Sequence, residues 1–189
     1  MAIPQTPAPP AEAIFTAGFA DLSLEKFILN LRAFDIRLLA DVRPPAFSGT
    51  PEQFVPQRIG PAALAAGMDY RNMGQRLGGV PVDPRLYDIE GHVRYDLLAR
   101  EPSFLEGIDA LLHELRQGRR IALVCREEDP RGCHRRQLIG RVLRREGVGV
   151  AHILTDGSVV SEAELRDAEP ASAGGPWLSA YRYQHARQA

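Results

Sequence analysis

The side chains best suited to chemistry lie together in one run, Cys125-Arg126-Glu127-Glu128-Asp129-Pro130-Arg131-Gly132-Cys133-His134-Arg135-Arg136. A thiol facing guanidinium groups and a helix N-terminus has a lowered pKa and becomes nucleophilic. Cys125 is therefore a candidate nucleophile, and Glu127 and His134 are candidates for moving its proton. A second group follows at Asp41-Val42-Arg43. If this segment is extended, Asp41 and Arg43 share one face and Val42 takes the other. An acid and an arginine placed that way form either a site ion pair or a pair that orders the turn at Pro44-Pro45.

Several readings of the loop compete. Cys125 also reads as a small buried hydrophobe at the end of a core strand. A zinc site from Cys125, Cys133 and His134 is disfavoured, because adjacent Cys-His is poor ligand spacing and no clear fourth ligand follows. A Cys125–Cys133 redox pair lacks the C-x-x-C form. Glu127, Glu128 and Asp129 count against a simple phosphate cradle, so at least one must point away or act as acid, base or acceptor.

These groups need elements to hold them. Ala13–Gly18 is a short apolar run stopped by glycine and reads as a buried strand. Ser23 can cap the helix that follows, with Leu24, Phe27, Ile28, Leu31 and Phe34 at helical spacing. Ile36–Val42 is the next strand. From Ala46 to Arg100 the pattern is less regular, with a short helix expected at Pro61–Ala66, a strand at Asp69–Met73 and a turn at Leu77–Pro81. Ser103 and Glu106 have capping-box spacing, and Phe104, Leu105, Ile108, Leu111, Leu112 and Leu115 form one apolar face before Gly118. Ile121–Cys125 reads as a fully buried strand. A helix from about Cys133 to Glu146, a strand at Val150–Leu154 and a helix capped by Ser161 and Glu164 complete the pattern.

At roughly 100° per residue, the 133–146 helix buries Leu138, Ile139, Val142 and Leu143. Arg135 falls on that inner face and needs a partner, either an acid such as Asp41 or Glu127 or an anionic ligand. Arg136, Arg141, Arg144 and Arg145 are read as outward, and Cys133 as turned outward too. Strand–helix alternation implies an α/β fold, a single three-layer sandwich with a mostly parallel sheet. Ligands of such sheets sit beyond the strands' carboxyl ends. That rule brings Asp41, Arg43, Cys125, Cys133 and Arg135 to one edge.

Composition sets the bounds. The chain has 189 residues, 44% hydrophobic and 25% charged, with a formal net charge of −1. That is a globular mixture with no bulk attraction to nucleic acid or membrane. No run approaches the roughly 20 apolar residues of a membrane helix. Lys26 is the only lysine, so 22 of the 23 basic residues are arginines; they spread along the chain, as coding bias would spread them. Two cysteines cannot build a disulfide framework. We expect a cytoplasmic protein. Residues 1–12 are expected to be a disordered lead-in, 13–169 one domain, and 170–189 a tail docked through Trp177, Tyr181 and Tyr183.

Thr16-Ala17-Gly18, Asp41-Val42-Arg43, Leu77-Gly78-Gly79 and Cys125-x-Glu127…Cys133-His134-Arg135 together resemble the family called domain of unknown function 488. The resemblance covers roughly Ile14 to Leu154. It departs at Phe19, where many members have a polar residue after the first strand. Phe19 cannot donate a hydrogen bond or a proton. The resemblance implies an α/β fold and a shared pocket rather than a reaction. A looser similarity is to rhodanese-type sulfurtransferases, but the Cys-x-x-x-x-Arg cradle is missing.

The expected function is a pocket for a small anionic or nucleotide-like ligand, with a thiol-dependent reaction possible there. Arg43 and Arg135 would hold the anion, beside Asp41 and Cys133, while Cys125, Glu127 and His134 would do the chemistry. The alternatives are a nucleic-acid module using Arg136, Arg141, Arg144 and Arg145, or an adaptor in which cysteines and arginines only pin the fold.

Overall fold

A computed structural model describes residues 13–44, 50–168 and 177–183. The expected lead-in at 1–12 lies outside these residues, as do position 169 of the expected domain and positions 170–176 and 184–189 of the expected tail.

The apolar runs become a six-stranded sheet. β1 (Ala13–Gly18), β2 (Leu38–Asp41), β3 (Asp69–Asn72), β5 (Ile121–Cys125) and β6 (Gly149–Ile153) are parallel, and β7 (Val159–Ser161) joins the β6 edge antiparallel. The order is β3-β2-β5-β1-β6-β7, so β5 lies between the first two strands. β4 (His92–Arg94) and β8 (Leu178–Arg182) form a separate antiparallel pair.

Helices cover both faces, which gives the three-layer α/β sandwich with a mostly parallel sheet. On one face, Phe15, Ala17, Leu39, Ala122 and Val124 pack with α1 (Leu24–Ala33) and α2 (Pro56–Ala65) through Phe27, Leu31, Ile59 and Ala63. On the other, Ile14, Leu38, Ala40, Val42, Ile121 and Leu123 meet α5 (Pro102–Arg116) through Phe104, Ile108 and Leu111. The short helices α3 (Gly74–Leu77) and α4 (Tyr95–Leu98) add Leu77 and Tyr95 to this second layer. Strand alternation sorts odd and even residues of each central strand between the two layers. Among the described residues, no helix is long and apolar enough to cross a membrane.

Side-chain caps set some of the helix starts. Ser23 accepts from the Lys26 N–H, and Ser161 and Glu164 form a reciprocal capping box on α7 (Glu162–Asp167). The capping box expected at Ser103 is absent. α5 begins instead at Pro102, whose fixed φ and missing N–H suit a first helical position, with Glu101 before it. Leu105 is largely exposed, one position off the buried stripe. Gly118 follows α5 at φ +76°, a conformation that favours glycine.

The helix after the cysteine loop is not uniform. Arg135–Gly140 forms a π-helical turn, which passes into α6 (Arg141–Arg145). The wider turn rotates its residues away from 3.6-residue spacing. Arg136, expected to point outward, is buried and donates from Nε to Glu162 Oε2 at 2.8 Å. Arg144 reaches the other oxygen of Glu162 at 3.2 Å. Arg141 and Arg145 both stack on the Trp177 ring, 4.5 and 4.8 Å from its centroid. The arginines expected to line a nucleic-acid face are thus engaged within the protein.

Candidate functional site

The parallel register brings the strand ends level. Gly18 pairs with Cys125, and Asp41 pairs with both Val124 and Asn72. The carboxyl edge therefore collects the expected residues, but on two faces. Asp41 and Arg43 point toward the α1/α2 layer with Leu39, while Cys125 follows Ile121 and Leu123 into the α5 layer. The single pocket expected from the sequence is two sites separated by the sheet.

On the α1/α2 face, Asp41 is saturated. Its Oδ1 accepts from the Arg43 backbone N–H at 3.2 Å and Arg43 Nε at 2.8 Å. Its Oδ2 accepts from Arg43 Nη2 and from the Tyr70 hydroxyl at 2.7 Å. Arg43 is only 6% exposed, and its guanidinium lies 5.2 Å from the Phe19 ring centroid. Burial opposes its charge, but Asp41 prevails and holds its pKa above the usual value. Burial and then Asp41 push the Tyr70 hydroxyl well up, so it stays a donor. The Phe19 side chain cannot hydrogen bond; it supplies an apolar ring beside Arg43. Tyr70 escaped the sequence reading. Its register opposite Leu39 puts it on the same face as Asp41, a signal that strand alternation carries once the pairing is known.

On the α5 face lies the cysteine loop. Cys125 donates to Glu127 Oε2 at 2.6 Å, and Cys133 donates to the same oxygen at 3.4 Å. His134 Nδ1 lies 3.9 Å from the Cys125 sulfur and 3.8 Å from that of Cys133. The other ring nitrogen, Nε2, is 2.9 Å from the Val42 carbonyl oxygen. A carbonyl only accepts, so Nε2 carries a hydrogen and Nδ1 faces both sulfurs; burial opposes protonation of the ring, but Cys133 and Glu127 outweigh it and raise its pKa. Cys133 was expected to face outward, yet it is 1% exposed. The 3₁₀ turn Pro130–Gly132, capped by Asp129, and the extended backbone of Cys133 swing its side chain inward before the helix starts.

Arg135 is buried as expected, at 1% exposure, but neither acid named as its partner holds it. Its Nη1 donates to the Glu127 carbonyl at 2.5 Å and its Nη2 to the Glu128 carbonyl at 2.8 Å. Nη1 also reaches the Cys133 sulfur at 3.6 Å. The guanidinium therefore fixes the loop backbone and places positive charge beside one thiol. Gly18 makes room for this. A side chain there would meet the Glu127 carbonyl and come 2.9 Å from Arg135 Nη1. The remaining acids point away. Glu128 accepts from the Thr155 hydroxyl at 2.7 Å, and Asp129 pairs with Arg131 at 2.7 Å.

The electrostatics divide the two thiols. The Cys133 sulfur, burial and Glu127 all push Cys125 up. Burial opposes ionisation of Cys133 as well, but the Cys125 thiol, Arg135 and His134 outweigh it and pull Cys133 down. These surroundings favour the thiolate at Cys133, where the sequence favours Cys125. Tyr95 and Tyr183 also border this group, with hydroxyls raised by burial and by the neighbouring negative groups. Tyr183 arrives on the stretch after β8, held by its backbone N–H to the Gly91 carbonyl at 2.8 Å.

No curated protein and no solved structure matches the chain. The family described as Domain of unknown function DUF488 matches residues 23–142, a span holding Asp41, Arg43 and the whole Cys125–Arg135 loop. The chain belongs to that family.

Proposed function

We propose that the protein binds a small anionic ligand, carrying a phosphate, sulfate or carboxylate head, on the α1/α2 face of the carboxyl edge. The observation that carries this is the Arg43 guanidinium. One edge is committed to Asp41, yet its Nη1 is buried with no hydrogen-bond partner among the described residues. Asp41 is already saturated and offers it nothing further. A buried arginine N–H without an acceptor costs stability unless a ligand supplies one.

The surroundings support the reading. Arg43, Thr50, Pro56, Gln57 and Asn72 line a cavity of about 220 Å³. α2 begins at that cavity with no side-chain cap, because Val55 precedes Pro56. Helix N-termini favour anions through their free N–H groups and dipole. The volume suits an anionic head with a small attached body, such as a fragment of a nucleotide-like metabolite. A reaction led by a Cys125 thiolate has less support, since its surroundings disfavour the charge.

Thermal unfolding at constant ionic strength tests this, comparing chloride with phosphate, sulfate and nucleoside monophosphates. Only ligands that bind the folded state raise the melting temperature. We expect a rise with phosphate or sulfate over chloride, and loss of that rise in Arg43→Lys. An equal rise in Arg43→Lys, or no rise in the unsubstituted protein with any of these anions, overturns the reading.

A further inference from the structure

We infer that Cys125, Cys133, His134 and Glu127 form a zinc-binding site. It lies on the opposite face of the sheet from the anion cavity and is built from different side chains.

The donor set is the first reason. Two sulfurs and an imidazole nitrogen, all from buried residues, lie within 4.8 Å of one another. Thiolate and imidazole suit a borderline-soft ion such as zinc. The spacing is the second. Zinc–sulfur bonds of about 2.3 Å and zinc–nitrogen or –oxygen bonds of about 2.0 Å set tetrahedral ligand–ligand edges of roughly 3.3–3.8 Å. The Cys125–His134, Cys133–His134 and Cys133–Glu127 separations are 3.9, 3.8 and 3.4 Å. The Cys125–Glu127 contact of 2.6 Å is a thiol–carboxylate hydrogen bond. The Glu127 carboxylate lies outside the group whose ligand atoms are all within 4.8 Å of one another, so it must turn toward the ion to act as fourth ligand once the thiol protons are gone.

The outer contacts are the third reason. A ligating histidine ordinarily donates its other ring N–H to a carbonyl or carboxylate, which fixes its tautomer. His134 does so to Val42, leaving Nδ1 facing the sulfurs. The charge also balances. Zinc displaces both thiol protons to solvent, and two thiolates with one carboxylate leave the centre at −1. The Arg135 guanidinium, 3.6 Å from the Cys133 sulfur, offsets it. The adjacent Cys133-His134 pair, poor as helical spacing, works here because Cys133 is extended and His134 is the first helical residue.

The full chain, purified under reductant without chelator or histidine tag, is assayed for zinc after gel filtration, then stripped and reloaded with cobalt. We expect about one zinc per chain and, with cobalt, a sulfur-to-metal charge-transfer band with tetrahedral d–d absorption. In competition with a chromogenic chelator, Cys125→Ser and Cys133→Ser should each lower zinc affinity by about 100-fold or more, at least the cost of losing an outer-shell contact. Affinity unchanged in the double serine variant overturns the site. If the serine variants do not fold, the cobalt spectrum of the unsubstituted chain decides, and absence of the charge-transfer band overturns it.

Discussion

His134 donates its Nε2 hydrogen to the carbonyl oxygen of Val42, 2.9 Å away. Val42 separates Asp41 from Arg43 along the chain, so this bond ties the cysteine loop to the backbone that aims Arg43. The two sites lie on opposite faces and share this one strand end. Removing the bond should be felt across the sheet. His134→Ala is expected to weaken phosphate binding at the Arg43 cavity by about 5-fold, the low end of ordinary coupling between sites. Calorimetric titration of the two proteins checks this, and equal affinities count against the coupling.

The Asp41–Arg43 pair is nearly dry, so breaking it leaves a buried charge alone. Arg43→Leu should cost about 3–5 kcal/mol, the usual range for stripping one partner from a buried pair. Asp41→Asn in that background removes the orphaned charge and should cost less than the two single changes added together. Urea unfolding of the four proteins measures the difference, and strict additivity would refute the pairing argument.

Gly18 is where β1 passes closest to the loop. The atom its side chain would meet is a backbone carbonyl, which cannot rotate aside. Gly18→Ala should therefore destabilise by about 1–3 kcal/mol, the range for overpacking a dense interior, and lower zinc content as the loop shifts. A melting curve with metal analysis reads both effects. Full stability and full zinc content in the variant would contradict the close approach.

Acid should unlock the buried network around Glu162. Burial pushes its carboxyl up, but His152, Arg136 and Arg144 more than compensate and hold its pKa down to about 2. A carboxyl depressed by folding contributes stability that is complete above its unfolded value, near pH 4.5. That contribution drains as the pH falls toward 2. The loss is about 3 kcal/mol for a shift of this size. His152 adds in the same direction, since burial lowers its pKa and protonation below its usual range favours the unfolded chain. Glu162→Gln should flatten the dependence of the urea midpoint between pH 4.5 and 2. An unchanged slope would mean other carboxyls dominate.

Trp177 fixes the last described segment to the body of the protein. Its Nε1–H donates to the Gln137 carbonyl at 2.7 Å, its own carbonyl accepts from Tyr95 at 2.9 Å, and Arg141 and Arg145 stack on its ring. Trp177→Ala should cost about 2 kcal/mol, below the 3–5 of a fully buried tryptophan because this one is half-buried. Loss of less than about 0.5 kcal/mol on chemical denaturation would show that the segment adds nothing.

Local signals carried much of this structure. β1 and β5 end where their apolar runs end, Ser23 and Ser161 cap as their spacing suggests, and Arg135 lies inside because its neighbours at helical spacing do. What the sequence hid was relational. Alternation put Asp41 and Arg43 on one face, but only the position of Cys125 in β5, two residues past Leu123, reveals that the thiols lie on the other. Cys133 and Arg136 were misread because a 3₁₀ turn and a π-helical turn replace the uniform helix that 100° steps assume. Tyr70 and Tyr183 reach the sites through strand pairings remote along the chain, which no local pattern encodes.

The place of β5 in the sheet bears on how the chain folds. β1 and β2 are joined by a single helix, yet they do not touch as strands, for β5 occupies the gap between them. Neither can complete its hydrogen-bond ladder at the centre until residues 121–125 arrive. β1 also needs β6, from 149 onward, for its other side. The early βα units must therefore wait, and the sheet closes in one late event that joins segments more than 80 residues apart. Such dependence on distant pairing places folding toward the millisecond-to-second end of the range for small domains, and it makes the two exposed flanks of β1 the edges most open to wrong partners in the meantime.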